Sequence, residues 1–346
     1  MSSPPRSSEA DWHSARGTAR GIPPATTLDD YAQALRAIGI PVCKGTGPTY
    51  WVSSTHRAVQ RLPTFEVGVP SHEEVDAALR TTGGLFATYA VNPDYRREAN
   101  AWLYLSEDRD YALRQRTPAM QRNIRRAERE LTIDWISPAQ LLAYGEAAFC
   151  DTRQRSHLDD ATATGFHRFF NGHVDQPGRT YLGAWKDGQL VAFVTVIRVD
   201  DWAEIGSFSM TSMLRYRPND ALMSATLKRY LGERDCRVVS YGLSSIQTRS
   251  NARGLHRFKT KVGFDAIPVH RAFVLHPHIR PFATTATLKA AYWVVNGALW
   301  MKPRNRRLRK LAGMLACMLG STPTIATEGR TIAPSEQPAI GRPQLS

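Results

Sequence analysis

The stretch Tyr241 to Phe264, YGLSSIQTRSNARGLHRFKTKVGF, follows directly on a β-branched run that begins at Arg237. It breaks that run with a polar loop, opens an amphipathic helix near Asn251 and leaves it through Val262-Gly263-Phe264 into a further extended segment. A strand, a loop, a helix and a second strand in this order place the helix start beside the end of the first strand, where ligands collect in layered α/β structures.

Upstream, residues 180–210 (TYLGAWKDGQLVAFVTVIRVDDWAEIGSFSM) give two long apolar runs turned by Asp187-Gly188 and a further reversal at Val199-Asp200-Asp201. The junction Leu214 to Leu222, LRYRPNDAL, then joins the strand predicted at Gly206 to Met210 to a helix running to Leu231, with Asn219 or Asp220 as the expected cap. Taken together, residues 180–275 resemble the acyl-CoA-binding half of a GNAT-type N-acyltransferase. In that family the last helix commonly closes with Phe-Tyr-x-Lys-x-Gly-Phe. Here the matching residues are Phe258-Lys259-Thr260-Lys261-Val262-Gly263-Phe264, so a lysine stands at the usual tyrosine. That lysine resembles the Fem-like branch, which includes peptide-bridge aminoacyltransferases and acetyltransferase domains associated with polysaccharide biosynthesis. The run Gln121-Arg122-Asn123-Ile124-Arg125-Arg126-Ala127-Glu128-Arg129 is similar to the basic helix of the same branch.

The resemblance implies an α/β chain with two tandem GNAT-like halves and a mixed, twisted sheet flanked by helices. It implies transfer of an acyl group, acetyl foremost, from acyl-CoA to an amine on a sugar-nucleotide, polysaccharide or cell-envelope precursor. Lys259 would act at the reacting end, near the thioester sulfur or a substrate phosphate. Arg215, Arg217 and Asn219 would hold the pyrophosphate in place of the family's glycine-containing loop, Asn251 would touch the pantetheine arm, and Arg122 and Arg125 would meet a substrate phosphate. Because Arg257 and Lys261 share the segment, Lys259 reads as a fixed positive charge on a ridge with Asn251 and Leu255, while Arg257 and Lys261 read as solvent-exposed. No carboxylate is placed as a general base; Glu204 in a strand and Asp201 in a turn both need burial to serve. One alternative keeps the fold with aminoacyl-tRNA as donor. Another is a catalytically silent membrane or nucleic-acid adaptor.

The tails follow from composition, and the two halves between them are what the resemblance implies. The segment 1–26 is rich in Ser, Pro, Ala and Gly with no apolar signal core, and 321–346 has the same character, so both read as disordered tails. Between them, 27–135 reads as a degenerate half without a phosphate loop, 136–280 as the cofactor-binding half and 281–320 as a helical, basic segment. Helices are predicted over Leu28 to Ile38, Glu73 to Leu79, Thr117 to Leu131, Pro138 to Arg153 and Thr164 to Asn171, with strands over Pro48 to Ser53, Gly84 to Val91 and Ala101 to Leu105.

The chain has 346 residues and a formal charge of +14, which favours phosphate-bearing partners. Its four cysteines form no C-x-x-C pair, and its histidines have no metal-ligand spacing, so neither a disulfide framework nor a metal is expected and a reducing, cytoplasmic setting fits. Residues 290–301 are apolar and KPRNRRLRK at 302–310 carries six basic side chains. That pattern predicts either an interfacial helix on the anionic inner face of a membrane or a helical hairpin packed on the protein itself.

Overall fold

The computed structural model describes residues 25–54, 57–94, 98–112, 116–156, 161–170, 172–232, 236–246, 252–302 and 305–320. Its frame is one eleven-stranded mixed sheet. In chain order the elements are α1 (Leu28–Ala37), β1 (Val42–Lys44), β2 (Tyr50–Ser53), β3 (Ala58–Leu62), α2 (His72–Thr82), β4 (Phe86–Val91) and β5 (Ala101–Ser106). There follow α3 (Pro118–Glu130), β6 (Thr132–Trp135), α4 (Pro138–Tyr144), α5 (Glu146–Arg155), α6 (Ala163–Phe170), β7 (Arg179–Lys186), β8 (Gln189–Val199) and β9 (Trp202–Ser209). The chain ends with α7 (Pro218–Leu227), β10 (Val238–Leu243), α8 (Ala252–Val262), β11 (Asp265–Leu275), α9 (Thr285–Met301) and α10 (Arg306–Met318).

The strand order β1-β2-β3-β4-β11-β5-β10-β9-β8-β7-β6 contains the same motif twice. An antiparallel meander (β1 to β3, then β7 to β9) is followed by a helix (α2, then α7) and a fourth strand parallel to the third, as β4 is to β3 and β10 to β9. The fifth strands are exchanged. β5 pairs with β10, the last half of β11 pairs with β4, and the first half of β11 pairs with β5, all antiparallel. This is an α/β GNAT fold built from two tandem halves.

Local chemistry explains the elements that frame the site. β8, QLVAFVTVIRV, is buried along most of its length because it lies inside the sheet with helices on both faces, so it reads as a continuous apolar run. Its turn from β7 needs left-handed backbone at two successive residues, and Asp187 (φ 49°) and Gly188 (φ 76°) supply it. α3 starts at Thr117, whose hydroxyl accepts from Met120 N–H, with Pro118 in the first turn. Met120, Ile124 and Ala127 then point into a core shared with α7, β8, β9 and β10.

That shared core joins α3 to the second meander and to Tyr104 of β5, across the boundary expected after residue 135. Two corrections have local causes. Gly145 separates α4 from α5 where one helix was expected, and a Cβ there would stand 2.7 Å from Leu141 O. Thr26, counted with the N-terminal tail, is buried and bridges Val199 at the sheet. β1, β3 and β6 are too short or too polar to register as alternating runs.

The two parallel pairs differ in what lies between their strands. β3 and β4 part after Gln60↔Thr88, and the chain beyond β3 fills the gap, with Val67 bridging Ala90 and Gly68 N–H donating to Ala90 O at 3.0 Å. β9 and β10 part after Glu204↔Ser240, and no segment among the described residues pairs with β9 from Ile205 to Ser209 on that side. The second half thus has parallel strands that part without a partner between them among the described residues, whereas the first half is stoppered by its own backbone.

Candidate functional site

The site is organised by a bulge. β10 pairs with β5 through Ser240↔Leu105 and then Gly242↔Tyr104, so Tyr241 is an extra residue outside the ladder. Gly242 makes the bulge possible with φ 70°, and its N–H turns back to Ser240 Oγ at 3.0 Å. The bulge has two effects. It leaves the Tyr241 carbonyl available to Lys259 Nζ, which donates to it at 3.3 Å, and it swings the Tyr241 ring across the splay, where its hydroxyl meets Ser207 Oγ on β9.

Lys259 is 3% exposed. Its ammonium group lies 4.0 Å from the Tyr104 ring centre and 4.2 Å from that of Tyr241, between two π-faces. Burial pushes its pKa down to about 7, while the ring faces and the Tyr241 carbonyl favour the charged form. A group with its pKa there can exchange a proton near neutrality, where the sequence reads a fixed charge. Leu255, placed on the same ridge, is 44% exposed, so that ridge does not face one environment. Asn251, its third member, lies outside the described residues.

Two further groups adjoin this pocket. His256 shares α8 with Lys259; its Nδ1 is 3.0 Å from Tyr104 Oη and its ring rests 5.5 Å from Trp102. Burial and then the neighbouring Lys259 charge hold its pKa below the usual imidazole range, and burial pushes the Tyr104 phenol up to about 12. Glu204 sits at the point where β9 and β10 part. Thr64 Oγ1 donates to its Oε2 at 2.9 Å, and a Cβ at Gly242 would be 3.8 Å from its Oε1. Burial raises its pKa, opposed by the Thr64 hydrogen bond and by the charge of Arg179. Glu204, left open by the sequence, is thus a carboxylate poised at the bulge.

The turn before α7, where the resemblance places the phosphate contacts, is built differently from the prediction. Residues Thr211–Tyr216 form a 3-10 turn, Arg217 is left-handed (φ 61°), and α7 begins without a side-chain cap. Asn219 is not the cap: its Nδ2 donates to Ser209 Oγ at 3.0 Å and its buried Oδ1 has no partner. Nor is Asp220, which is buried and accepts from Asn123 Nδ2 at 2.8 Å and from Lys261 Nζ at 3.4 Å. Lys261 is therefore tied into the structure and not simply solvated, whereas Arg257 is exposed. Arg217 is exposed at the helix start, and Arg215 folds back on Tyr216, its Nη2 donating to the phenol at 2.9 Å. Arg155 and Asp151 of α5 clamp the turn through Thr211.

An uncapped helix start with two basic side chains fits an anion. The orphaned Asn219 Oδ1 fits an N–H or O–H donor, so the cradle suits a ligand that carries both, as the phosphate and amide groups of a CoA arm do. Arg122 projects from α3 into solvent and Arg125 reaches Gln121 Oε1 at 3.5 Å, while Asn123 of that helix hydrogen-bonds to Asp220 at the start of α7. No group of three or more metal-ligating side chains occurs among the described residues.

No protein-family model matches the chain, and no curated protein matches it in sequence. Solved structures similar to it in chain path include FemX (TM-score 0.48, 10% identity, covering 70% of this chain and 89% of that one). Another is L-PGS from Bacillus licheniformis (0.43, 12%, 74% and 94%). A third is a tandem GNAT protein from the clavulanic acid biosynthesis pathway (0.40, 13%, 75% and 90%). At these values nothing about donor or acceptor passes from those proteins to this one.

Proposed function

We propose that the chain is an acyl or aminoacyl transferase whose donor arm enters between β9 and β10 and whose acceptor is an amine. The observation that carries this reading is the buried Lys259 held at the Tyr241 bulge, beside the point where the parallel strands β9 and β10 part. When bound, the donor supplies an activated carbonyl carbon. Glu204 accepts the proton that the attacking amine loses, and burial, by raising its pKa, makes it a stronger base than an exposed carboxylate. Lys259 delivers the proton from Nζ to the departing group, and Tyr104 and Tyr241 exclude water around it. Asn219, Arg217 and the start of α7 orient the donor's polar arm, with Arg215 at the rim.

The finer reading is a Fem-like N-acyltransferase that uses acyl-CoA, acetyl-CoA foremost, on a sugar-nucleotide, polysaccharide or cell-envelope amine. Arg122 and Arg125, exposed on the helix that buttresses α7, are proposed for an acceptor phosphate. Calorimetry with CoA and acetyl-CoA tests the donor: binding to the wild type that weakens at least about tenfold in Arg217→Ala supports it. Lys259→Ala should still bind but release no thiol. Failure of the wild type to bind either ligand removes acyl-CoA, and the same assay with aminoacyl-tRNA then decides between that donor and a silent adaptor.

A further inference from the structure

α9 is apolar on two opposite faces. Leu288, Tyr292, Val295 and Leu299 face inward and pack on Leu308, Ala312 and Leu315 of α10, which closes the helical hairpin. On the other side, Trp293 is 77% exposed, Val294 72%, Trp300 85% and Met301 72%, with Phe282 just before the helix at 73%. At 100° per residue, Ala286, Ala290, Trp293, Val294, Gly297, Trp300 and Met301 fall on one stripe, flanked by a single charge, Lys289. A surface helix normally presents polar residues outward, so a stripe of this size marks a docking surface. Hairpin and interfacial helix, alternatives by sequence, are thus two faces of one element.

We infer that this outer stripe docks on an anionic lipid surface, with α9 lying in the plane of the interface. Charge identifies the occupant. Lys302 and Arg307 are exposed at the hairpin turn, Arg309 and Lys310 follow on α10, and the sequence has no Asp or Glu between Asp265 and Glu328. A second copy meeting this stripe face to face would bring two basic turns together with no carboxylate from the segment to offset them. A bilayer bearing anionic headgroups meets the same array with opposite charge. Tryptophan suits that depth, with an apolar ring and an N–H that keeps a polar partner. No helix among the described residues is long and apolar enough to cross a membrane, which fits a helix lying on its side.

The hairpin is held firmly enough to orient the stripe. Gly313 of α10 packs on the backbone at Ile246, and a Cβ there would stand 1.7 Å from Ile246 O. The inference does not depend on the transfer chemistry.

Co-sedimentation of the full chain with phosphatidylcholine vesicles, and with the same vesicles containing phosphatidylglycerol, tests it at low and high salt. Pelleting with the anionic vesicles that weakens with salt is expected. Trp293→Ser with Trp300→Ser should lower that binding on the order of tenfold or more at an unchanged thermal midpoint, because both rings are exposed. Lys302→Gln with Arg307→Gln should weaken binding to anionic vesicles alone. Negligible pelleting with both lipids, or binding unchanged in the tryptophan double variant, would overturn the inference. So would a wild-type dimer that the tryptophan substitutions convert to monomer without any vesicle binding, since the occupant would then be a second copy.

Discussion

Thr64 Oγ1 donates to Glu204 Oε2 at 2.9 Å, joining residues 140 apart in the chain. Thr64 belongs to the segment that stoppers the first half, and the next residue, Phe65, packs edge-on against Trp202 with ring centres 5.5 Å apart. The first half thus contributes directly to the surroundings of Glu204.

Replacing Thr64 by valine keeps the shape and removes the donor. Burial raises the Glu204 pKa and the Thr64 hydrogen bond lowers it, so Thr64→Val should raise it further. A carboxyl whose folded pKa exceeds its unfolded value favours folding at low pH and loses that contribution as pH rises through the folded pKa. The variant should therefore lose about 1 to 2 kcal/mol at neutral pH and less in acid. Chemical denaturation at two pH values measures this, together with an acid limb of activity moved upward; Thr64→Ser should restore both.

Lys259 has the opposite sign. Its folded pKa, about 7, lies below the ordinary lysine value of 10.5, so the unfolded chain binds more protons between those values and stability rises with pH across that window. The full drop corresponds to ~5 kcal/mol of unfavourable burial below pH 7, reduced by the two ring contacts. Lys259→Met should stabilise the protein by roughly 2 kcal/mol at pH 6, with the gain fading towards pH 10 and activity lost throughout. Wild-type activity should decline as pH rises through about 7. A destabilised Lys259→Met at pH 6 would contradict the assignment.

Asp220 links three helices: it lies in the first turn of α7, accepts from Asn123 of α3 and pairs with Lys261 of α8. Asp220→Ala leaves two donors without an acceptor in a buried place, at a cost of about 2 to 3 kcal/mol. Urea denaturation measures that loss. Asp220→Asn, which still accepts from one donor, should lose less.

Gly313→Ala tests the seat of the hairpin. Backbone at Ile246 occupies the space a methyl group needs, so α9 and α10 should lift away while the sheet persists. Limited proteolysis between β11 and α9 should accelerate at least about tenfold at little change in the main unfolding transition.

Much of the second half was legible in the sequence because its strands are long and its turns are chemically marked. Asp187-Gly188 announces the β7 to β8 hairpin, and Thr117-Pro118 announces α3. The bulge was written as plainly, since Gly242 interrupts a strand pattern, yet a lone glycine does not say which neighbour it frees or where that neighbour's ring will point. Lys259 stood out at its motif position, but its burial depends on Tyr104, a residue 155 positions away on a strand of the other half. Glu204 could not be ranked above Asp201 because burial separates them, and burial comes from Thr64 and the stoppered segment. The caps failed for the same reason: Asn219 and Asp220 are suitable by type, and tertiary partners drew both away.

The exchange of β5 and β11 means that neither half owns a complete sheet. Cutting the chain after residue 112 leaves β4 without the neighbour that β11 provides and β10 without the neighbour that β5 provides. Two fragments made this way should each remain incompetent alone and should recover structure only on mixing, as complementary pieces of one interlocked object.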